Sequence, residues 1–184
     1  MVKSLQFDVN EVNILFKQNK TFDMRGLSNR LVREAAMENN YAKAELGVIA
    51  YSLHKIETKE HMVRSPKWHK IKAEISKNLE EALMAIKIDD KKDFFQQLKE
   101  VIVNINNIDA EMGHYAQGLY EKAKVKHASQ AYSYGLSLAQ AADLTGADKK
   151  ELQAYVGFTK MHDEEPPAKN IKSRVKELKE LLEG

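Results

Sequence analysis

Apolar residues recur every three or four positions along most of the 184-residue chain, and few helix breakers interrupt them. Ala, Leu, Glu, Lys and Gln dominate long stretches, whereas only three prolines and eight glycines occur. These residues favour helices, and the spacing places the apolar side chains on one helical face. The sequence therefore predicts an all-α protein. One segment displays the pattern clearly, with Trp68, Ile71, Ile75, Leu79, Leu83 and Ile86.

The composition limits the classes of protein to which the chain can belong. A hydrophobic fraction of 43% is enough for a packed core. Because the sequence lacks cysteine, it can form neither disulfides nor thiolate zinc sites. No apolar run is long enough to cross a bilayer and no signal peptide is recognisable, so we expect a cytoplasmic protein without membrane contacts. A net charge of +2 restricts any nucleic-acid surface to a local patch.

Breaks in the apolar pattern predict the helix boundaries in the first half of the chain. We expect the first helix to begin at Asp8 and a turn to follow over residues 20–29. A long helical stretch comes next, over residues 29–56, and the two asparagines at 39–40 can divide it. Its small side chains around Gly47 allow a neighbouring helix to approach closely, which predicts the central helix of a bundle.

In the second half, turn and cap residues again mark the predicted helix boundaries. Ser65-Pro66 is typical of a helix start, with serine as the cap and proline at the first helical position. Asp89 or Asp90 starts another helix. That helix can continue past Gly113 to about residue 134, with one bend near the glycine.

Residues 137–157 have the spacing of a helix-turn-helix, in which a short helix, a turn and a second helix follow one another. Gly146 suits the turn because it adopts a positive φ at little cost. Ser137 and Asp148 are good N-caps for the two helices. In DNA-binding versions of the motif, the outward residues of the second helix enter the major groove. Here those residues are Lys149, Lys150 and Gln153.

This stretch resembles the helix-turn-helix of MerR-like and antitoxin-type regulators through the segments SLAQAADLTG and ELQAYVG. The whole chain is also similar to uncharacterised archaeal helical proteins that end in such a motif. The resemblance implies a transcriptional regulator or antitoxin-like protein that binds double-stranded DNA, and we expect it to act as a homodimer. Basic side chains on the preceding helix can contact the DNA backbone. They are Lys122, Lys124 and Lys126.

Two other functions compete with DNA binding. The same motif can pack against protein, which predicts a non-catalytic interaction module; Asp148 and Glu151 favour it, because their negative charge opposes phosphate. Arg64 and His69 form Arg-x-x-x-x-His, which resembles the catalytic signature of the helical HEPN ribonucleases. That resemblance implies RNA cleavage by the two side chains. Their mid-chain position and the intervening Pro66 depart from the family pattern, so the sequence favours a protein that is not an enzyme.

Few side chains are placed to bind a metal ion. Glu111 and His114 form Glu-x-x-His, a unit that di-iron four-helix bundles use twice but that occurs once here. His54, His61 and His69 recur among lysines and arginines, which attract anions and repel metal ions. We therefore expect neither a metal nor another cofactor.

The predicted organisation has three parts. Residues 1–128 form a helical bundle for interaction or sensing, and residues 129–163 contain the helix-turn-helix. Residues 164–184 comprise a proline-interrupted linker and a terminal amphipathic helix. This helix is too short to be stable alone, so it must dock on its own domain or on a partner subunit. Its apolar stripe consists of Ile171, Val175, Leu178, Leu181 and Leu182.

Overall fold

Helices account for all regular secondary structure in the part of the chain that the computed structural model describes, residues 2–111 and 118–162. The predicted all-α class is therefore confirmed. None of these helices combines the length and the apolar content needed to cross a membrane. In chain order they are α1 (Val2–Lys17), α2 (Thr21–Glu38), α3 (Tyr41–Glu57), α4 (Glu60–Val63), α5 (Trp68–Lys87), α6 (Lys91–Glu111), α7 (Leu119–Ser133), α8 (Leu138–Thr145) and α9 (Lys149–His162).

The first two helices begin earlier than the sequence predicted. Asp8 lies inside α1 and does not cap it; the residue is 1% exposed, and its carboxylate accepts a hydrogen bond from Arg30 at 3.0 Å. The predicted turn over residues 20–29 is also wrong, because α2 already begins at Thr21. The chain instead reverses at Asn19, which has a φ of 55°. Long-range packing of Asp8 therefore overrides the capping signal that its residue type carries.

Helix α3 is the central helix, and its junction with α2 confirms the predicted break. Asn39 ends α2 in the left-handed conformation, with a φ of 50°. The Asn40 side chain then accepts a hydrogen bond from the Lys43 N–H at 3.2 Å, which caps α3. Gly47 lies where α2 crosses α3, and a Cβ atom there would be only 2.9 Å from Val32 Cγ2. The predicted close approach is confirmed.

Tertiary packing decides where α5 begins. Ser65-Pro66 does not start this helix, which begins at Trp68 without a side-chain cap. Trp68 is 3% exposed and packs edge-on against Phe16 of α1, with the ring centroids 6.1 Å apart. The prediction from Ser65-Pro66 was wrong because burial of the tryptophan, rather than local capping, fixes the first turn.

The boundaries of α6 and α7 fit the sequence in part. Asp90 precedes α6, and its carboxylate accepts a hydrogen bond from the Asp93 N–H at 3.0 Å, as a capping residue does. A helix continuous to residue 134 is not formed, since α7 starts at Leu119 after a left-handed Gly118. The bend expected near Gly113 lies outside the described residues.

Two clusters of buried side chains hold the helices together. The larger fills the space mainly between α1, α2, α3, α5 and α6. In the smaller, Val32 and Ala35 of α2 and Ala44 of α3 meet side chains of α7, α8 and α9. Helices α7 and α8 therefore pack directly on α2 and α3, and α9 packs on α7 and α8. Residues 164–184, with the predicted linker and terminal helix, lie outside the described residues, and the three-part division of the chain stays a prediction.

Candidate nucleic-acid interface

Helices α7, α8 and α9 form a three-helix unit in which α7 packs against both of the others. A capping box fixes the first turn of α8: Ser137 Oγ accepts a hydrogen bond from the Gln140 N–H at 3.2 Å, and the Gln140 side chain accepts one from the Ser137 N–H at 3.0 Å. Ser137 is thus the predicted cap of the first helix of the motif.

Residues 146–148 form the turn between α8 and α9. Gly146 has a φ of 66°, in the left-handed region that favours glycine. The next N–H, that of Ala147, donates to the carbonyl of Ala142 at 3.0 Å and so satisfies a carbonyl at the end of α8. Ala142 itself is 6% exposed, so a small side chain lies where the two helices meet.

The start of α9 depends on Asp148. Its Oδ1 atom accepts hydrogen bonds from the N–H groups of Lys150 and Glu151, at 2.8 and 2.9 Å. Two of the N–H groups that a helix start leaves without a helical acceptor are thereby paired. The predicted cap is confirmed, and the carboxylate of Asp148 is committed to the backbone at the end of the helix that would approach DNA.

Helix α9 buries one narrow side and exposes the others. Leu152 is fully buried and Val156 is 8% exposed, whereas Tyr155 is 40% exposed. The Tyr155 side chain lies at the edge of a groove beside α7 rather than beneath α9. The residues predicted to point outward are exposed. They are Lys149, Lys150 and Gln153.

The charges at this end of α9 are of both signs. Within the described residues, no carboxylate forms an ion pair with Lys149 or Lys150, so both ammonium groups are available to a ligand. Asp148 and Glu151 are exposed in the same turn. Their carboxylates stabilise the positive end of the helix dipole but also oppose an approaching phosphate.

The three lysines of α7 do not share one face. Lys124 is 18% exposed and forms an ion pair with Glu121 at 2.6 Å, close to the turn at Gly146. Lys122 is exposed, and Lys126 has its ammonium 4.6 Å from the centroid of the Tyr51 ring. Lys122 and Lys126 both line the groove between α7 and α9. Lys124 instead borders a different cavity, beside the turn.

Sequence reasoning missed this groove, which has a volume of about 770 Å³. Its walls come from α3, α7 and α9, with Phe158 of α9 65% exposed at its side. One signal was present in the sequence: Phe158 follows Tyr155 at helical spacing, beside the stripe of Leu152 and Val156 rather than within it.

A buried polar network attaches the three-helix unit to the bundle. His127 of α7 is fully buried, with Nε2 2.9 Å from Ser28 Oγ and Nδ1 2.7 Å from the Gln130 side-chain amide. The Ser28 hydroxyl donates to the carbonyl of Gly47 at 2.9 Å and thus joins α2 to α3. Burial lowers the pKa of His127 to about 4, so the ring is neutral near pH 7.

A second polar contact joins α8 to α3 at the surface. The Tyr41 hydroxyl donates a hydrogen bond to the Asp143 carboxylate at 2.5 Å, and this bond raises the pKa of Tyr41 above its usual value. The contact joins α8 to the central helix and the His127 network joins α7 to α2, so the three-helix unit is attached to the bundle at two points.

The residues of the HEPN-like signature lie on the surface. Arg64 follows α4 and forms an ion pair with Glu60, one helical turn earlier. His69 is exposed in the first turn of α5. Neither position tests RNA cleavage, which stays a prediction for Arg64 and His69.

No group of three or more His, Asp or Glu side chains able to hold a metal ion occurs in the described part of the chain. His54 is 5% exposed, and its Nδ1 atom lies 2.7 Å from the carbonyl of Thr21. The ring therefore fills a position between α3 and α2. Glu111 and His114, the predicted Glu-x-x-His pair, lie outside the residues whose side chains the structure describes.

Comparison with known proteins found no match, whether to models of protein families, to curated proteins or to solved structures. The function must therefore be inferred from the residues of this chain.

Proposed function

We propose that the protein is a DNA-binding transcriptional regulator or antitoxin-like protein whose helix α9 enters the major groove of double-stranded DNA. The observation that carries the proposal is the exposed polar side of α9, where Lys149, Lys150 and Gln153 follow a capped three-residue turn. The major groove, about 12 Å wide, admits an α-helix. With 14 residues, α9 is about 21 Å long, which is enough to span several base pairs.

The chemistry of these side chains suits a base edge and a phosphate. Lysine can donate to guanine O6 and N7, and glutamine can pair with adenine N6 and N7. Lys149 and Gln153 are four residues apart, so they project from the same side of the helix. Lys122 on α7 is exposed and can reach a phosphate, whereas Lys124 would first have to leave Glu121.

Acidic residues at the start of α9 weaken the attraction to DNA without removing the motif. The carboxylate of Asp148 caps α9, so the negative charge is present for a structural reason. A homodimer compensates for weak binding by each subunit, because it engages two half-sites about 34 Å apart. Once the first subunit is bound, the second binds its half-site at a high effective concentration. We therefore expect the functional unit to be a homodimer.

A non-catalytic protein-interaction module is the second candidate. It is favoured by Tyr155 and Phe158, whose rings are 40% and 65% exposed on the side of α9 that borders the groove. Aromatic side chains are enriched at protein interfaces, where they bury a large area. This function predicts that duplex DNA is not bound even at low salt.

The test is titration of the protein into a labelled mixed-sequence duplex, monitored by fluorescence anisotropy. Lys149→Ala/Lys150→Ala should weaken binding at least tenfold, because two cations are removed from the surface that meets DNA. The matched control is Lys91→Ala/Lys92→Ala, which removes two exposed lysines from the first turn of α6 and changes the net charge equally.

Three outcomes separate the candidates. A tenfold loss in the α9 variant with near-normal binding by the α6 variant supports the helix-turn-helix as the DNA-binding element. An equal loss in both variants would indicate attraction to net charge alone, and absence of binding by the wild type would favour the interaction module.

A further inference from the structure

The groove between α3, α7 and α9 has an apolar wall formed mainly by α9. Ala154, Tyr155 and Phe158 line one side, and Leu119 of α7 lies opposite. Tyr155 and Phe158 are 40% and 65% exposed. Burial of their exposed apolar surface is favourable by roughly 25 cal/mol per Å². A segment with an apolar stripe could bury that surface.

Three lysines surround this apolar wall, and one carboxylate, that of Glu151 on α9, also lines the groove. Lys55 and Lys126 hold their ammonium groups 5.5 and 4.6 Å from the centroid of the same Tyr51 ring, and Lys122 is exposed beside them. Among the described side chains, no carboxylate forms an ion pair with any of the three. Two ammonium groups beside one ring repel each other, so a negatively charged segment at this position would stabilise the arrangement.

The chain that follows α9 has the matching properties. It leaves the helix at His162, four residues and about 6 Å beyond Phe158. Three carboxylates come next, at 163–165, and then two prolines at 166–167. The apolar stripe begins at Ile171, so the connection is eight residues long and can span up to about 27 Å.

We infer that residues 163–182 bind in the groove of their own molecule. The carboxylates at 163–165 would neutralise Lys55, Lys122 and Lys126, and the apolar stripe that begins at Ile171 would cover Tyr155 and Phe158. The connection favours the same molecule over a second copy, because a tether of this length gives an effective concentration in the millimolar range. The inference does not depend on DNA binding.

Occupancy of the groove leaves the polar side of α9 open. Tyr155 and Phe158 line the groove, whereas Lys149 and Gln153 lie on another side of the helix, since neighbouring residues are separated by about 100°. One helix can therefore hold the C-terminal segment and present its lysines, while Lys122 of α7 would pair with the segment in place of a DNA phosphate. Tyr155 and Phe158 would then bind the C-terminal segment of their own chain, a role that requires no second protein.

The absence of cysteine in the natural sequence allows a direct test on the full chain. Ala154→Cys is combined in turn with Ile171→Cys, Val175→Cys and Leu178→Cys, and disulfide formation under mild oxidation is measured by mass spectrometry. The matched control replaces Ala154→Cys with Gln153→Cys, an equally exposed neighbour on another side of α9. At least one Ala154→Cys pair should form an intrachain disulfide severalfold faster than its control, at a rate independent of protein concentration.

Two results would overturn the inference. Disulfides between chains would place the segment on a second copy, and equal rates for the Ala154→Cys pairs and their Gln153→Cys controls would mean that the groove does not hold it. The role of the lysines is tested by adding Lys122→Glu/Lys126→Glu to the fastest pair. The rate should fall severalfold, and an unchanged rate would exclude attraction between the lysines and the acidic residues.

Discussion

Gly47 offers a quantitative test of how closely α2 and α3 pack. An alanine Cβ at this position would lie 2.9 Å from Val32 Cγ2 and 3.3 Å from Leu31 Cβ. Both neighbours are fully buried, and the β-branched Val32 has little rotamer freedom in a helix. Overpacking of this kind costs about 1–3 kcal/mol, against a gain of about 1 kcal/mol for replacing a glycine inside a helix.

Gly47→Ala should therefore lower the free energy of unfolding by up to about 2 kcal/mol. Gly26→Ala is the matched control, since Gly26 lies inside α2 and an added Cβ would meet no atom within 4 Å. At Gly26 only the helix propensity changes, so Gly26→Ala should raise the free energy of unfolding by about 1 kcal/mol. For a domain of this size the melting temperature should fall by up to about 4–8 °C in the first variant and rise by about 2–4 °C in the second.

Urea unfolding followed by circular dichroism measures both changes, and a double-mutant cycle with Val32→Ala identifies the contact. Because Val32→Ala removes the methyl group that clashes, it should be less damaging in the Gly47→Ala background than in the wild type, by about 1 kcal/mol. If Gly47→Ala stabilised the protein as much as Gly26→Ala, the close packing of α2 and α3 would be refuted.

Two further predictions concern the helix-turn-helix and its attachment. Burial lowers the pKa of His127 from 6.5 to about 4, so the unfolded chain binds this proton at a higher pH than the folded one. The free energy of unfolding should then fall by up to about 3 kcal/mol as the pH is lowered from 6.5 to 4. Urea titrations at several pH values measure this decline, which should be shallower for His127→Gln. Equal declines in the two proteins would contradict the lowered pKa of His127. Asp148→Ala should lower the free energy of unfolding by about 1 kcal/mol, because the cap of α9 is lost. The same variant should bind DNA more strongly, because a negative charge is removed. Weaker DNA binding by a variant that remains folded would count against α9 as the DNA-reading helix.

Local signals predicted the helix-turn-helix well. Ser137, Gly146 and Asp148 act through hydrogen bonds or a backbone conformation within a few residues of their own position, so residue type and spacing are sufficient to recognise them. The break at Asn39 and Asn40 was predictable for the same reason. Periodicity also identified the all-α class, because the apolar spacing of a helix is a property of the local sequence.

Errors arose where a distant residue decides the outcome. Asp8 has the residue type of a cap but is buried against Arg30, 22 positions away, and the helix start at Trp68 follows from its contact with Phe16. The bond between Ser28 and His127 joins residues 99 positions apart. No local pattern contains such pairs, so the buried network could not be predicted from the sequence.

The most direct test of DNA binding by α9 is the salt dependence of the association constant for duplex DNA, measured for the wild type, Lys149→Ala/Lys150→Ala and Lys91→Ala/Lys92→Ala. Each phosphate contact contributes about 0.9 to the slope of log K against log salt concentration, so loss of two contacts should make the slope shallower by about 1.8. We predict this change for the α9 variant and an unchanged slope for the α6 variant. Equal slopes in all three proteins, or no binding by the wild type at low salt, would contradict DNA binding through α9.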